Sequence, residues 1–302
     1  MTNIQEQLSE LLKDIVITRQ CGRGGFGYVF LADDTTLGRK VAVKAIEKRK
    51  ADSFKQEYHG LMTYCSSVRS HQNLLTIHSA VQNEKLLAYM MELADNAAES
   101  PDDDYVPDTL AFRLGKTRCL SPEEIKSIVD GLLDGLETLH DAGLAHRDIK
   151  PENVLFVNNI PKLADFSIMT HADDPLNAGT RSYVPQTIDS TLDARARGID
   201  QDLYALGKTV YMMFSGQLAH DFPFVRSKFL QTPFGQNLNQ FLLFACSNNP
   251  DERFRSVQEF RQSFNQCYDD LSFVHTLLFR IASLILALAA MTLIILLTIR
   301  NH

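Results

Sequence analysis

The chain has 302 residues, of which 45% are hydrophobic and 22% charged, which is ordinary for a globular protein with one large or two modest domains. Its formal net charge of −7 argues against a general nucleic-acid-binding surface, so we expect no nucleic-acid partner. The five cysteines are scattered and form no CxxC pair. This usage is typical of reduced thiols in the cytoplasm and argues against a disulfide framework or a zinc site.

The first 92 residues alternate between helical and strand-type apolar patterns. Ile4, Leu8, Leu11 and Leu12 recur at helical spacing, so residues 1–13 are expected to form a short amphipathic helix. Alternating apolar residues then predict five strands, and a helical apolar stripe separates the third strand from the fourth. This half therefore predicts a small sheet carrying one helix. The predicted strands are 15–20, 28–33, 40–47, 74–81 and 86–92, and the helix is 51–66.

Composition changes over residues 95–108, which are rich in aspartate and proline and are therefore expected to form a loop. We expect this loop to separate a strand-rich half from a helical half. Ser121 and Glu124 predict a helix start, because a serine cap and a glutamate three residues later can form a capping box. Apolar residues then recur at helical spacing, which predicts a deeply packed helix. Further helical patterns cover about 200–215, 234–246 and 256–267.

The C-terminal sequence differs from the rest in composition. Residues 281–299 contain no charged residue and are flanked by Arg280 and Arg300. At 1.5 Å per residue, this length matches the hydrocarbon core of a bilayer, about 30 Å thick. A buried core helix is the alternative, but it would need surrounding protein that the remaining sequence does not supply. We therefore predict a transmembrane helix at 281–299, preceded by a juxtamembrane segment at 272–280.

Residues 146–153 place several chemically useful side chains in one short stretch. Asp148 and Asn153 are five positions apart, and Pro151 between them prevents a continuous helix, so the stretch is expected to be a loop. Functional side chains concentrate on such loops, although a solvated charged loop is the alternative. Asp148 is a candidate base, and Asn153 is a candidate metal ligand.

A glycine-rich segment joins the first two predicted strands. Gly22, Gly24, Gly25 and Gly27 would let backbone N–H groups approach phosphate oxygens closely. The pattern alone is equally compatible with a plain hairpin loop. Because it lies between two strands and not between a strand and a helix, it disfavours a Rossmann dinucleotide site.

Lys44 lies in a predicted strand otherwise made of valine, alanine and isoleucine. A buried lysine needs an anion, and Glu57 on the following helix is a candidate partner, although an edge lysine in solvent is the alternative. Asp165 follows a short predicted strand at 162–164. Its carboxylate, together with Asn153, would give the hard oxygen ligands that Mg²⁺ requires between phosphates.

These motifs occur in one order, and over residues 14–271 the chain resembles the eukaryotic-type (Hanks-type) serine/threonine protein kinase family. The resemblance implies an α+β, bilobal fold with an N-lobe at 14–93 and a C-lobe at 105–271. It implies that Asp148 is the catalytic base and that Lys150 and Lys44 are catalytic. Asp165 and Asn153 become the Mg²⁺ ligands. The ATP-binding set that it implies is Gly22, Gly24, Gly25, Gly27, Val29, Ala42, Lys44, Glu57, Glu92, Ala94 and Leu155.

The resemblance also assigns positions outside the catalytic motifs. Met91 is expected to be the gatekeeper beside the segment that joins the lobes. Asp202 is expected to brace the loop at 146–153, here called the catalytic loop. The hydroxyl of Thr180 is expected to bridge Asp148 and Lys150. Lys150 at this position is the family's mark of serine/threonine specificity. Thr170, Thr180 and Ser182 are candidate phosphorylation sites, and Asp173 and Asp174 are either a phosphate substitute opposite Arg147 or a solvated acidic loop.

Two departures from the family pattern concern regulation. Ser167 replaces the glycine of Asp-Phe-Gly, which removes a flexible position while keeping the metal ligand. Val184-Pro185-Gln186 stands where the family has Ala-Pro-Glu. The ion pair that the family makes with a late arginine, here Arg253, is therefore expected to become at best a neutral hydrogen bond to Gln186.

The sequence thus predicts a kinase that uses ATP and Mg²⁺ to phosphorylate Ser/Thr hydroxyls of proteins, and that self-associates for autophosphorylation. Because ATP and reduced thiols are cytoplasmic, we expect the kinase domain to face the cytoplasm from a single-pass C-terminal anchor. One alternative is a membrane-anchored pseudokinase scaffold. A second is a kinase that acts on a lipid or another small molecule.

Overall fold

The computed structural model describes residues 2–23, 27–48, 51–100, 104–166, 169–171 and 179–269. These residues form two lobes joined by the segment at 92–109. The N-lobe is an antiparallel sheet with strand order β1-β2-β3-β5-β4 and two helices, so the predicted α+β, bilobal class is confirmed. Its elements are α1 (Thr2–Leu11), β1 (Ile15–Arg23), β2 (Tyr28–Asp34), β3 (Arg39–Glu47), α2 (Ala51–Ser67), β4 (Ile77–Gln82) and β5 (Leu86–Met91).

The central strand β3 is buried on both of its faces. Val41, Val43 and Ala45 point to one side, where they pack in a cluster with Ile4 and Leu8 of α1. The alternate residues of β3 point to the other side, toward α2 and the C-lobe. The predicted sheet with one helix is therefore incomplete, because the amphipathic N-terminal helix covers the second face.

The C-lobe is mainly helical, and its longest predicted helix begins as expected. The hydroxyl of Ser121 accepts a hydrogen bond from the Glu124 N–H at 3.2 Å, and the Glu124 carboxylate accepts one from the Ser121 N–H at 2.8 Å. The apolar stripe of this helix is buried in the core. The helices are α3 (Leu110–Thr117), α4 (Pro122–Asp141), α5 (Ala194–Ser215), α6 (Pro233–Ala245) and α7 (Val257–Gln266), and the strands are β6 (Leu144–Ala145), β7 (Val154–Val157), β8 (Ile160–Leu163) and β9 (Thr170–His171).

Two element starts and one whole helix show the main differences from the sequence prediction. Helix α5 begins at Ala194, several residues early, because the Asp193 side chain accepts a hydrogen bond from the Ala196 N–H at 2.8 Å and caps it. Helix α3 was not predicted, although the Thr109 hydroxyl caps it in the same manner. Strand β4 begins at Ile77, because the backbone of Leu75 bonds instead to Leu163 of the C-lobe, with an N···O distance of 3.0 Å.

The predicted membrane anchor requires a correction. Across the described residues, the structure contains no helix that is both long and apolar enough to cross a bilayer. Within the described ranges the two longest helices, α4 and α5, both carry several charged side chains. The expected single-pass membrane localisation therefore has no support in the structure and is withdrawn, and the predicted transmembrane helix at 281–299 itself lies outside the described residues.

Candidate active site

Lys44 forms a buried ion-pair cluster between the lobes. Its Nζ lies 2.7 Å from Oε1 of Glu57 on α2 and 2.9 Å from Oδ1 of Asp165 in the C-lobe. Glu57 is only 1% exposed and also accepts a hydrogen bond from the Tyr89 hydroxyl at 2.6 Å. Burial alone would lower the pKa of Lys44, but the carboxylates of Asp165 and Glu57 outweigh it and raise that pKa well above its ordinary value. Lys44 is therefore held as a cation.

Asp148 is the centre of a second polar cluster, built from the predicted loop and a residue 32 positions later. Lys150 donates from Nζ to Oδ2 of Asp148 at 2.6 Å and to the Thr180 hydroxyl at 2.8 Å. That hydroxyl donates to Oδ1 of Asp148 at 2.8 Å, so it bridges the two residues as expected. The side-chain nitrogen of Asn153 donates to Oδ2 at 2.9 Å, which leaves its amide oxygen as the atom that can bind a cation.

Asp202 of α5 fixes the backbone that leads into this loop. Its carboxylate accepts hydrogen bonds from the backbone N–H groups of His146 at 2.8 Å and Arg147 at 2.7 Å. Nε2 of His140 lies 2.9 Å from the same carboxylate. Burial would raise the pKa of Asp202, but these partners outweigh it and lower that pKa. Asp202 therefore braces the loop as an ionised carboxylate.

Asp165 is positioned by its own backbone and by the next side chain. Its φ of +64° lies in the left-handed region, which is uncommon for an aspartate and typical of functional segments. Phe166 is buried and stacks on Tyr64 of α2 with a centroid distance of 3.7 Å, while its ring meets the edge of His146 at 6.0 Å. The apolar contacts of Phe166 thus hold Asp165 beside Lys44.

A cavity of about 220 Å³ lies between the lobes and collects most of the predicted ATP-binding and metal-binding residues. Nine of them line it: Gly22, Val29, Ala42, Lys44, Glu92, Ala94, Leu155, Asn153 and Asp165. Tyr105 also lines it and was missed, because it comes from the joining loop, whose composition gave no sign of a site. Its hydroxyl donates to the carbonyl of Ala94 at 3.0 Å. Gly24 and Gly25 lie outside the described residues.

Gly27 shows why the glycine segment lacks side chains. A Cβ placed on Gly27 would lie 2.3 Å from the carbonyl oxygen of Ala45, so no other residue fits without displacing β3. Glycine at position 27 therefore lets the start of β2 lie directly against β3.

The residues of the cavity fit a nucleotide with a divalent cation. Val29, Ala42 and Leu155 give it apolar walls suited to a flat base, and Lys44 contributes the cation that a phosphate needs. Asp165 and Asn153 line the same cavity and carry the carboxylate and amide oxygens that Mg²⁺ prefers. Each of these features belongs to the cavity itself and does not depend on the family resemblance.

The segment from Asp165 to Thr187 is here called the activation segment. The contacts at its C-terminal end differ from those expected. Arg253 is 3% exposed, and its Nε lies 3.0 Å from Oδ1 of Asp200 on α5. It also donates from Nη2 to the backbone carbonyl of Thr187 at 2.9 Å. Gln186 is exposed, and in the described part of the chain no hydrogen bond joins it to Arg253. The neutral contact that the sequence allowed does not form, and Asp200 provides a buried carboxylate instead.

Gly179 holds the activation segment close to the catalytic loop. Gly179 has a φ of +135°, and a Cβ there would lie 2.8 Å from the carbonyl of Arg147, so glycine is required beside the catalytic loop. Ser167, Asp173 and Asp174 lie outside the described residues, as does the side chain of Thr170, so the predictions about them stay predictions.

The fold and this site together define a bilobal domain arranged for phosphoryl transfer. Comparison with known proteins agrees, since the protein kinase domain family matches residues 15–271. The chain therefore belongs to the protein kinase family, which confirms the predicted enzyme class.

Similar proteins come from organisms that are distant from one another. A stretch of 216 residues is 32% identical to the probable serine/threonine-protein kinase fhkE of Dictyostelium discoideum, covering 66% of this chain and 28% of that protein. A stretch of 279 residues is 29% identical to a probable serine/threonine-protein kinase of Streptomyces coelicolor, covering 82% and 39%. The serine/threonine-protein kinase Pkn1 of Myxococcus xanthus is 26% identical over 276 residues, covering 82% and 37%. The chain thus spans well under half the length of these relatives.

Proposed function

We propose that this protein transfers the γ-phosphoryl group of ATP to serine or threonine hydroxyls of protein substrates, with Mg²⁺ as the cofactor. The observation that carries the proposal is the cluster at Asp148, where Lys150, Asn153 and Thr180 all bond to one carboxylate at 2.6 to 2.9 Å. A scaffold without activity would need no such alignment of a base, a cation and a metal-type amide. The complete cluster therefore supports an enzyme over a pseudokinase.

The residues of the site divide the chemistry between them. Asp148 accepts the proton of the substrate hydroxyl, and Lys150, 2.6 Å from it, stabilises the charge of the phosphoryl group in transfer. Lys44, fixed by Glu57, holds the nucleotide phosphates in place. Asp165 and Asn153 would hold Mg²⁺, which when bound neutralises charge on the phosphates. In the proposed mechanism, catalysis therefore comes from alignment and electrostatics.

A hydroxyl of serine or threonine is the proposed acceptor on two grounds. The relatives named above are described as serine/threonine kinases. In this chain, Lys150 stands two residues after Asp148, which is the position that the family resemblance associates with that specificity, and it contacts both Asp148 and Thr180. We further propose that one copy phosphorylates another.

Phosphoamino-acid analysis of the full chain after incubation with Mg-ATP tests the acceptor. We expect phosphoserine or phosphothreonine and no label when Mg²⁺ is removed by a chelator. To test transfer between copies, the inactive Lys44→Met chain is mixed with active chain of a different mass, and label is expected on both. Label only on lipid or small molecules, or none on any acceptor, would contradict the proposed function.

A further inference from the structure

A second cavity, of about 570 Å³, lies in the C-lobe below the end of the activation segment. Arg181 and Ser182 form one side, only one or two residues after the catalytic-site residue Thr180. The middle of α5 supplies Tyr204 and Lys208, and the residues that follow α6 close the cavity.

The charge of this cavity is unusual for an acidic protein. Among the described residues that line it, Arg181, Lys208 and His220 are basic and none is Asp or Glu, although the whole chain carries a net charge of −7. One acid lies beside the cavity, since Oδ1 of Asp221 lies 3.6 Å from Nε2 of His220. A concave surface lined by cations without carboxylates attracts anions.

Lys208 is the residue that needs an explanation. It is 5% exposed, and in the described part of the chain its ammonium group has no hydrogen bond or ion pair. Its Nζ lies 4.6 Å from the ring centre of Phe222 and 5.8 Å from that of Tyr204, so cation–π contacts offset part of the loss of hydration. Burial lowers the pKa of Lys208. An apolar side chain would pack here without that penalty.

We propose that this cavity binds a phosphate group, with Lys208 and Arg181 as its cationic ligands. Arginine suits a phosphate because its planar group can donate two parallel hydrogen bonds, and a buried lysine suits it as a point charge. The bound phosphate would connect α5 to the end of the activation segment, next to the Thr180 contact with Asp148. Occupancy would thereby stabilise the arrangement in which substrate is phosphorylated.

Two sources of the phosphate share this chemistry. Ser182 lines the cavity, so its own phosphorylated side chain would lie there. In that reaction the Ser182 oxygen forms the new bond to the γ-phosphorus of ATP, the bond to the ADP oxygen breaks, and the hydroxyl proton goes to the base. The other source is a phosphorylated residue of a bound peptide. Phosphorylation of Ser182 by this protein rests on the proposed kinase function, whereas the phosphate-binding site itself does not.

The binding test uses the full chain carrying Asp148→Asn. No turnover is involved, so the outcome of the binding test does not depend on the outcome of the kinase assay. Inorganic phosphate and N-acetyl-phosphoserine amide are titrated against it, with N-acetyl-serine amide as the control. We expect a saturable rise in melting temperature with both phosphates. Lys208→Met should weaken binding by about tenfold or more, while the melting temperature without ligand stays equal or rises.

Two matched lysine variants locate the binding. Lys126→Met removes a half-exposed lysine of α4 away from the cavity, and Lys44→Met removes the lysine of the ATP cavity. Lys126→Met should keep the parent affinity for phosphate, and Lys44→Met should keep the binding component that Lys208→Met removes. Unchanged affinity in Lys208→Met, no saturable binding in the parent, or a loss confined to Lys44→Met would overturn the proposal.

The source is settled on active chain incubated with Mg-ATP and mapped by mass spectrometry. Phosphorylation of Ser182 that abolishes binding of added phosphate assigns the cavity to the chain's own phosphoserine. An unmodified Ser182 with retained phosphate binding assigns it to a phosphorylated peptide.

Discussion

Asp200 is the residue whose removal tests how the end of the activation segment is fixed. Its carboxylate lies 3.0 Å from Nε of Arg253, and both side chains are almost fully buried. Asp200→Asn keeps the shape of the side chain but leaves the guanidinium of Arg253 as a buried, uncompensated charge. Removing one partner of a buried ion pair costs about 3–5 kcal/mol of unfolding free energy. The bond from Arg253 to the Thr187 carbonyl remains and keeps the loss near the lower value.

The assay is thermal and urea-induced unfolding of the full chain. For a domain of this size, each kcal/mol corresponds to about 2–4 °C, so Asp200→Asn is expected to melt roughly 6–12 °C below the parent. Gln186→Ala is the matched control from the activation segment itself. Because Gln186 is exposed, its loss should change the free energy of unfolding by no more than about 0.5 kcal/mol.

A double-mutant cycle separates the ion pair from other effects of the substitution. When Arg253→Met is added to Asp200→Asn, no unpaired charge remains, so the combined loss should be smaller than the sum of the two single losses. Strict additivity, or a Gln186→Ala variant less stable than Asp200→Asn, would refute the assignment of Asp200 as the partner.

Two further predictions concern the N-terminal helix and the brace of the catalytic loop. Leu8→Ala should lower the free energy of unfolding by about 2–5 kcal/mol, because Leu8 is fully buried against the sheet. Glu6→Ala, which changes an exposed side chain of the same helix, should alter it little. Equal small effects in urea unfolding would show that α1 does not pack there. Because the pKa of Asp202 is lowered in the folded protein, its stabilisation is present above its unfolded pKa of about 3.9 and is lost as pH falls through the lower folded value. The stability difference between the parent and Asp202→Asn should therefore shrink below about pH 4, and a difference that grows with acidity would contradict the brace.

The sequence alone was sufficient to predict features that follow from a local residue pattern or from the chemistry of one side chain. The capping box at Ser121 and Glu124 depends on residues three positions apart, so it could be predicted without a fold. The Lys44–Glu57 pair was also predicted, since a lysine inside an apolar strand needs a buried anion and the next helix offers one. The alignment of Asp148, Lys150 and Thr180 followed from the family resemblance.

Other features depend on how distant segments pack. The apolar stripe of α1 predicts a buried face but not which surface covers it, and only the fold shows that it packs on the sheet through Ile4 and Leu8. Tyr105 gave no signal, because its place in the cavity is set by the path of a loop. The partner of Arg253 could not be predicted, because the sequence shows only a missing glutamate, whereas the substitute carboxylate of Asp200 lies on another element.

Phosphoryl transfer from Mg-ATP to a generic serine- and threonine-containing protein substrate, by the parent chain and by Asp148→Asn, tests the central claim most directly. Loss of the base should lower the rate by about 10²–10⁴-fold, while the melting temperature stays close to that of the parent. Asp130→Asn, which changes a half-exposed carboxylate of α4, should transfer phosphate at the parent rate. Equal rates in the parent and in Asp148→Asn, whether measurable or negligible, would contradict the account.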